Sequence, residues 1–190
     1  METLIQGITE NWTVWFVTVV LVVAAVIDGA ILKVPNWLTF PFIIMGWIHC
    51  SIQSGFGFDG GLAFSLLGTF VGMMLLLLLR NRGGMGAGDV KLLAGVGAWL
   101  GATTTLWVFA ATAIVGGIMG MIMIVKSGQW HKHYAMAWQI VEEWKTKKPA
   151  ELATIARERK PTMYLLPYGI PMAIGAVAYF AYDGLLISWS

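Results

Sequence analysis

The sequence predicts an all-α integral membrane protein: about six transmembrane helices in a single domain, residues 1–190, with both termini outside. Three observations lead there. Of the 190 residues, 58% are hydrophobic and only 12% are charged, against about 25% charged in a typical soluble domain. The apolar residues gather in runs long enough to cross a bilayer. All twelve Lys and Arg fall in segments that six spans place on one side, as expected when basic loops stay inside.

The first run, Trp12–Ile31, follows a start that holds Glu2 and Glu10 but no Lys or Arg. That is the wrong charge for a cleavable signal peptide, so this span is expected to stay in the mature protein. Pro35-Asn36 punctuates the chain before the second run, Trp37–Ile52. The third run is Gly61–Leu79 and the fourth Leu92–Val125. As one straight helix the fourth would measure about 51 Å at about 1.5 Å per residue, too long for a hydrocarbon core of about 30 Å. Gly101-Ala102-Thr103-Thr104-Thr105 offers a turn that divides it into two spans. The last run is Met163–Ile187.

With the amino terminus outside, the inner loops are 32–36, 80–91 and 126–161, and they hold Lys33, Arg80, Arg82, Lys91, Lys126 and every other basic residue. The outer segments hold only Glu2, Glu10, Asp59 and Asp183. Taking the fourth run as one span would put Lys91 and Lys126 on opposite faces and break the pattern. In the 126–161 loop, Trp130, Tyr134, Trp138 and Val141 recur at helical spacing. This fits a helix lying in the cytosolic interface and equally a solvated connector with aromatic anchors.

Several function classes drop out. A net charge of +2 gives no footprint for nucleic acid, and the single Cys50 excludes a disulfide framework or a four-cysteine zinc module. His131 and His133 sit two residues apart, on different sides of a helix, as interfacial polar residues rather than metal ligands. His49 and Cys50 lie toward the outer end of the second span and read as packing.

Two acidic residues need a reason. Asp28 lies near the inner end of the first span and Asp89 at the inner start of the fourth, so topology puts both at one depth. Lys33 and Lys91, close by, can snorkel to the headgroups. Two carboxylates at one depth are the minimum for acid–base work: brought together they cannot both ionise cheaply, and one stays protonated while the other acts as a base. Asp89 can equally cap the helix that follows Gly88, and each aspartate can pair with its nearby lysine. Gly83, Gly84, Gly86 and Gly88 disfavour helix before Asp89 and leave an open turn through which an extended peptide could reach a carboxylate.

These residues fall into three motifs. Asp28, Lys33, Pro35, Asn36 and Thr39 form D-x4-[KR]-x-P-N-x-x-T; Gly86-Ala87-Gly88-Asp89 with Val90-Lys91 forms GxGD-x-K; Pro167-Tyr168-Gly169 with Pro171 and Gly175 forms P-[FY]-G-x5-G. In this order they resemble the aspartic prepilin peptidases of the GxGD intramembrane type, from about Val22 to Tyr179. The resemblance implies a GxGD-protease-like bundle with Asp28 and Asp89 as catalytic dyad. Gly86, Ala87 and Gly88 would form the access loop. Lys33, Pro35, Asn36, Thr39, Lys91, Pro167, Tyr168 and Gly169 would support them. It implies an endopeptidase of a prokaryotic cytoplasmic (inner) membrane, active site toward the cytosol. Its partners would be the lipid bilayer and a type IV pilin-like or preflagellin-like precursor, whose short leader it removes. No cofactor or metal is implied. The larger bifunctional members carry an added cysteine-paired domain and methylate the new amino terminus; with one cysteine and no such insertion, methyltransferase activity is expected to be absent. The compact form looks closer to the tight-adherence pilus or archaeal preflagellin peptidases. The rival from another class is a proton- or cation-coupled transporter using the same two aspartates. It would ordinarily show repeated halves and ionisable groups near the midplane; here the halves are not repeated and both aspartates lie near one face. A third possibility is a scaffold that keeps the fold without the chemistry.

Overall fold

The computed structural model describes residues 11–54, 61–81, 86–128 and 167–186, with isolated positions between 138 and 155. These hold five helices: α1 (Trp12–Ile31), α2 (Asn36–Ser54), α3 (Gly61–Asn81), α4 (Ala87–Ser127) and α5 (Gly169–Tyr182). Three are long and apolar enough to cross a membrane (α1, Gly61–Leu78 of α3, and α4), and α5 is apolar but shorter. The protein is an all-α membrane protein.

Local chemistry sets the ends. α1 stops at Leu32, which takes the left-handed conformation with φ 52 and donates its amide to the Asp28 carbonyl at 2.8 Å. Pro35 cannot continue a helix with a backbone bond of its own, but it can precede one. Its carbonyl accepts the amides of Leu38 and Thr39 and so opens α2. α4 begins at Ala87, earlier than the glycine-rich turn suggested: Gly86 is extended, and its amide donates to the Asp89 carboxylate at 3.2 Å. Asp89 therefore caps from inside the first turn, and Gly88 is helical rather than part of an open loop.

The break expected near residue 101 is present. Gly101 has φ 77 and ψ 177 within α4, a conformation essentially confined to glycine. Contacts on either side show that the chain doubles back there. Before the break, Lys91 bonds to Asn36 at the start of α2 and Trp99 bonds to the Phe42 carbonyl further along, so the two helices run parallel. After it, Trp107 stacks on Tyr179, and Gly116 lies against Tyr168 and Pro171. A straight helix would hold residues 89 and 116 about 40 Å apart, yet Gly88 meets Val34 just past Asp28, and Gly116 meets Tyr168, whose neighbour Gly169 bonds to Asp28. The 41-residue element is thus two antiparallel arms, which with the other four helices make six helical segments among the described residues.

The core lies around the first arm of α4. Leu92, Leu93 and Val96 are fully buried with Leu21, Leu76, Met172 and Phe180. Glycines let the helices close on one another: Gly68 of α3 and Gly97 of α4 meet backbone to backbone, and a side chain on either would strike the other's carbonyl. At the end opposite Asp89, Trp99 stacks on His49 (centroids 5.1 Å apart) and meets Trp12 edge-on at 6.0 Å. Cys50 is buried there, with Sγ 3.5 Å from the Ala98 carbonyl oxygen. Both residues pack, as their positions suggested. His131 and His133 lie outside the described residues, as do Trp130, Tyr134 and Val141, while Trp138 is helical and exposed.

Candidate active site

Asp28 occupies the last turn of α1 and Asp89 the first turn of α4, and both are buried, at 4% and 7% exposure. Burying a carboxylate is costly unless polar groups meet it, and each has a backbone amide. Asp28 Oδ2 accepts the amide of Gly169 at 2.8 Å, across 141 positions of sequence. Asp89 Oδ2 accepts the amide of Gly86. Both amides stand at helix starts, of α5 and α4, where unpaired N–H groups and the helix dipole favour an anion.

The first sequence motif meets each of the other two here. The first joins the third through Asp28 and Gly169. It joins the second through Lys91, whose Nζ donates to Asn36 Oδ1 at 2.9 Å. The second also packs on the first where Gly88 faces Val34; a Cβ there would lie 2.7 Å from the Val34 carbonyl oxygen. Gly169 needs its missing side chain: a Cβ would sit 3.0 Å from the Asp28 Cβ and 3.1 Å from Oδ2, prising the carboxylate from its amide.

The remaining candidates divide. Lys33 is exposed beside the site. Lys91 does not snorkel freely as its position suggested: besides its bond to Asn36, its ammonium lies 4.3 Å from the centre of the Phe40 ring. Asn36 therefore does more than end a turn. Thr39 is fully buried, and its hydroxyl has no hydrogen-bond partner among the described residues. Pro167 and Tyr168 are half-buried at the entry to α5, and Gly86 and Ala87 are exposed. Sequence reasoning passed over Val34, the seat for Gly88, and Phe40; the available signal was that Phe40 lies four residues after Asn36, on its face of α2.

Fold and site together define a membrane-embedded helical protein that brings two buried carboxylates to one end of its bundle, held by glycine-bearing helix starts. Comparison with known proteins places it more closely. The type IV leader peptidase family matches residues 15–121, and the chain belongs to that family. The match ends before the Pro167-Tyr168-Gly169 segment, whose place at the site rests on the geometry above. The chain is similar to proteins named prepilin leader peptidase/N-methyltransferase. It is 31% identical to that of Neisseria gonorrhoeae over 62% of this chain and 41% of the relative. For Aeromonas hydrophila the figures are 34% over 57% and 38%, and for Pseudomonas aeruginosa 32% over 55% and 37%. The matched region spans about two fifths of these relatives. No solved structure matches the chain.

Proposed function

We propose that this protein is an aspartic endopeptidase that removes the short leader from type IV pilin-like precursors at the cytosolic edge of a prokaryotic inner membrane. The observation that carries this reading is that the motif of Asp28 contacts both the motif of Asp89 and the third motif, centred on the Asp28–Gly169 bond. A water between the two carboxylates would lose a proton to the ionised one as it attacks the scissile carbonyl. The protonated carboxyl would donate to the carbonyl oxygen, and the proton gained by the base would go to the leaving amine. Gly86 and Ala87, exposed beside Asp89, leave room for an extended peptide. The methylating activity in the relatives' names is not carried over, since the chain holds one cysteine and that one is buried far from the site.

The test is co-expression of a pilin-like precursor with the unsubstituted chain, Asp28→Asn and Asp89→Asn, read by gel shift and by mass spectrometry of the new amino terminus. Each substitution preserves shape and is expected to lower cleavage by at least about a thousandfold, as loss of an essential catalytic group does. Cleavage retained in either variant removes that residue from the mechanism. A methyl group on the product would overturn the single-activity reading.

A further inference from the structure

Beside the site, on the outer surface of the bundle, α1 and α5 leave a groove of about 350 Å³. Its walls run from Val22 to Gly29 on α1 and from Ile170 to Ile174 on α5. They carry no charged or hydrogen-bonding side chain, so whatever lies there is apolar. Gly29 and Ile170 are the chain neighbours of Asp28 and Gly169, the pair joined at 2.8 Å. Ala25, another wall residue, lies beneath the same glycine, with its Cα 3.4 Å from where a Gly169 Cβ would be. One end of the groove therefore lies beside the turn that carries Asp28, whose carboxylate is buried behind the wall. From Gly29 back to Val22 it extends about 10 Å away from the site, toward the middle of the bundle.

We infer that this groove seats the apolar helix of the precursor, with the residues next to the cut lying over Gly29. The inference rests on the peptidase reading and deepens it. A leader peptidase of this kind must hold its substrate by the segment that stays in the bilayer, because the leader leaves. That segment is an apolar helix ending at the scissile bond, so its seat must be apolar, open to lipid, directed along the bundle and begin beside the catalytic groups. The α1–α5 groove meets all four demands. Gly29, Ala25 and Ala173 on its walls present small surfaces of the kind that let two helix backbones approach within a membrane. The volume accommodates a few aliphatic side chains rather than a whole helix, so the seat reads knobs from one face of the substrate.

A photo-crosslinking residue placed at Val26 or at Ile174, exposed on the two walls at 68% and 48%, tests the assignment in membranes that also contain a tagged precursor. Leu67 of α3, 61% exposed and outside the groove, is the control. Adducts from Val26 and Ile174 to the precursor's apolar segment, with none from Leu67, are expected. Gly29→Leu adds bulk at the end nearest Asp28, where a Cβ meets only Ile170 at an ordinary 3.4 Å, and it favours the helix. It is expected to raise the half-saturating precursor concentration about tenfold, more than it lowers turnover. If the unsubstituted chain cuts the precursor but the groove positions give no adduct, or crosslink only to lipid, to a second copy or to this chain itself, the groove assignment falls alone. If the unsubstituted chain cuts no precursor, the peptidase reading falls and the assignment with it.

Discussion

The two arms of α4 share a composition and differ in nearly everything else. Before Gly101, every residue from Leu92 to Trp99 is buried. After it, burial shrinks to Thr105, Val108 and Thr112, a single stripe at helical spacing. Around that stripe Trp107, Ile114, Ile118, Met121 and Val125 are all more than half exposed. In water the second arm would be a liability; in lipid those side chains meet their own kind, and apolarity no longer says which face points to protein. Glycine says more. In the first arm a Cβ at Gly95 would strike the Phe42 ring and one at Gly97 the Gly68 backbone, whereas Gly117 and Gly120 in the second have nothing within 4 Å. The arm that carries Asp89 is a central post gripped on all sides; its continuation is one more staves-and-lipid pass at the rim.

The sharpest way to break the contrast is to add the same side chain to each arm. Gly97→Leu forces two backbones apart and is expected to cost more than about 4 kcal/mol, the range in which a fold is lost. Gly117→Leu is expected to stay within about 0.5 kcal/mol of the parent. Thermal unfolding in detergent micelles compares them, and equal tolerance would mean the first arm is not gripped as described. At the hinge, Gly101→Ala imposes a side chain on φ 77 against the Phe64 ring. A loss of about 1–3 kcal/mol is expected from the backbone alone. Shortening Phe64 to Ala in the same chain should relieve the collision but not the backbone cost, and complete rescue would put the strain in the ring instead.

Lys91→Ala removes the ammonium from Asn36 and Phe40. Because that contact is partly open to solvent, the expected loss is about 0.5–1 kcal/mol, with cleavage reduced rather than abolished. A drop as deep as that of Asp89→Asn would make Lys91 part of the chemistry. Smallest of all, Cys50→Ser leaves a hydroxyl facing the same Ala98 and Trp99 carbonyls. Cleavage should persist at the parental rate in the same gel-shift assay, and its loss would tie the far end of the bundle to the site.

How much of this was legible in advance follows from what a sequence encodes. Depth along the membrane normal is one-dimensional, and runs of apolar residues and basic loops record it. Hence the six passes, the break near residue 101 and the common depth of Asp28 and Asp89 could be read directly. Rotation about each helix axis is recorded far more weakly when both lipid and core are apolar. Nothing in the spacing pairs Gly68 with Gly97 or turns Lys91 toward Asn36. The start of α4 was misplaced for a local reason: four glycines suggested an open turn, but the Asp89 carboxylate meeting the Gly86 amide repays the conformational entropy of Gly88 in a first turn. The burial of Thr39 had no precursor in the pattern beyond its place in a motif.

The bond from the Gly169 amide to Asp28 has a consequence for how the protein is made. The ribosome delivers Asp28 to the bilayer early and Gly169 only after another 141 positions of chain. While residues 90 to 168 are being made, both aspartates have been delivered but the amide that seats one of them does not yet exist. Insertion of α5 is therefore the step that completes the seat of Asp28, so an unfinished chain carries both aspartates without their final arrangement.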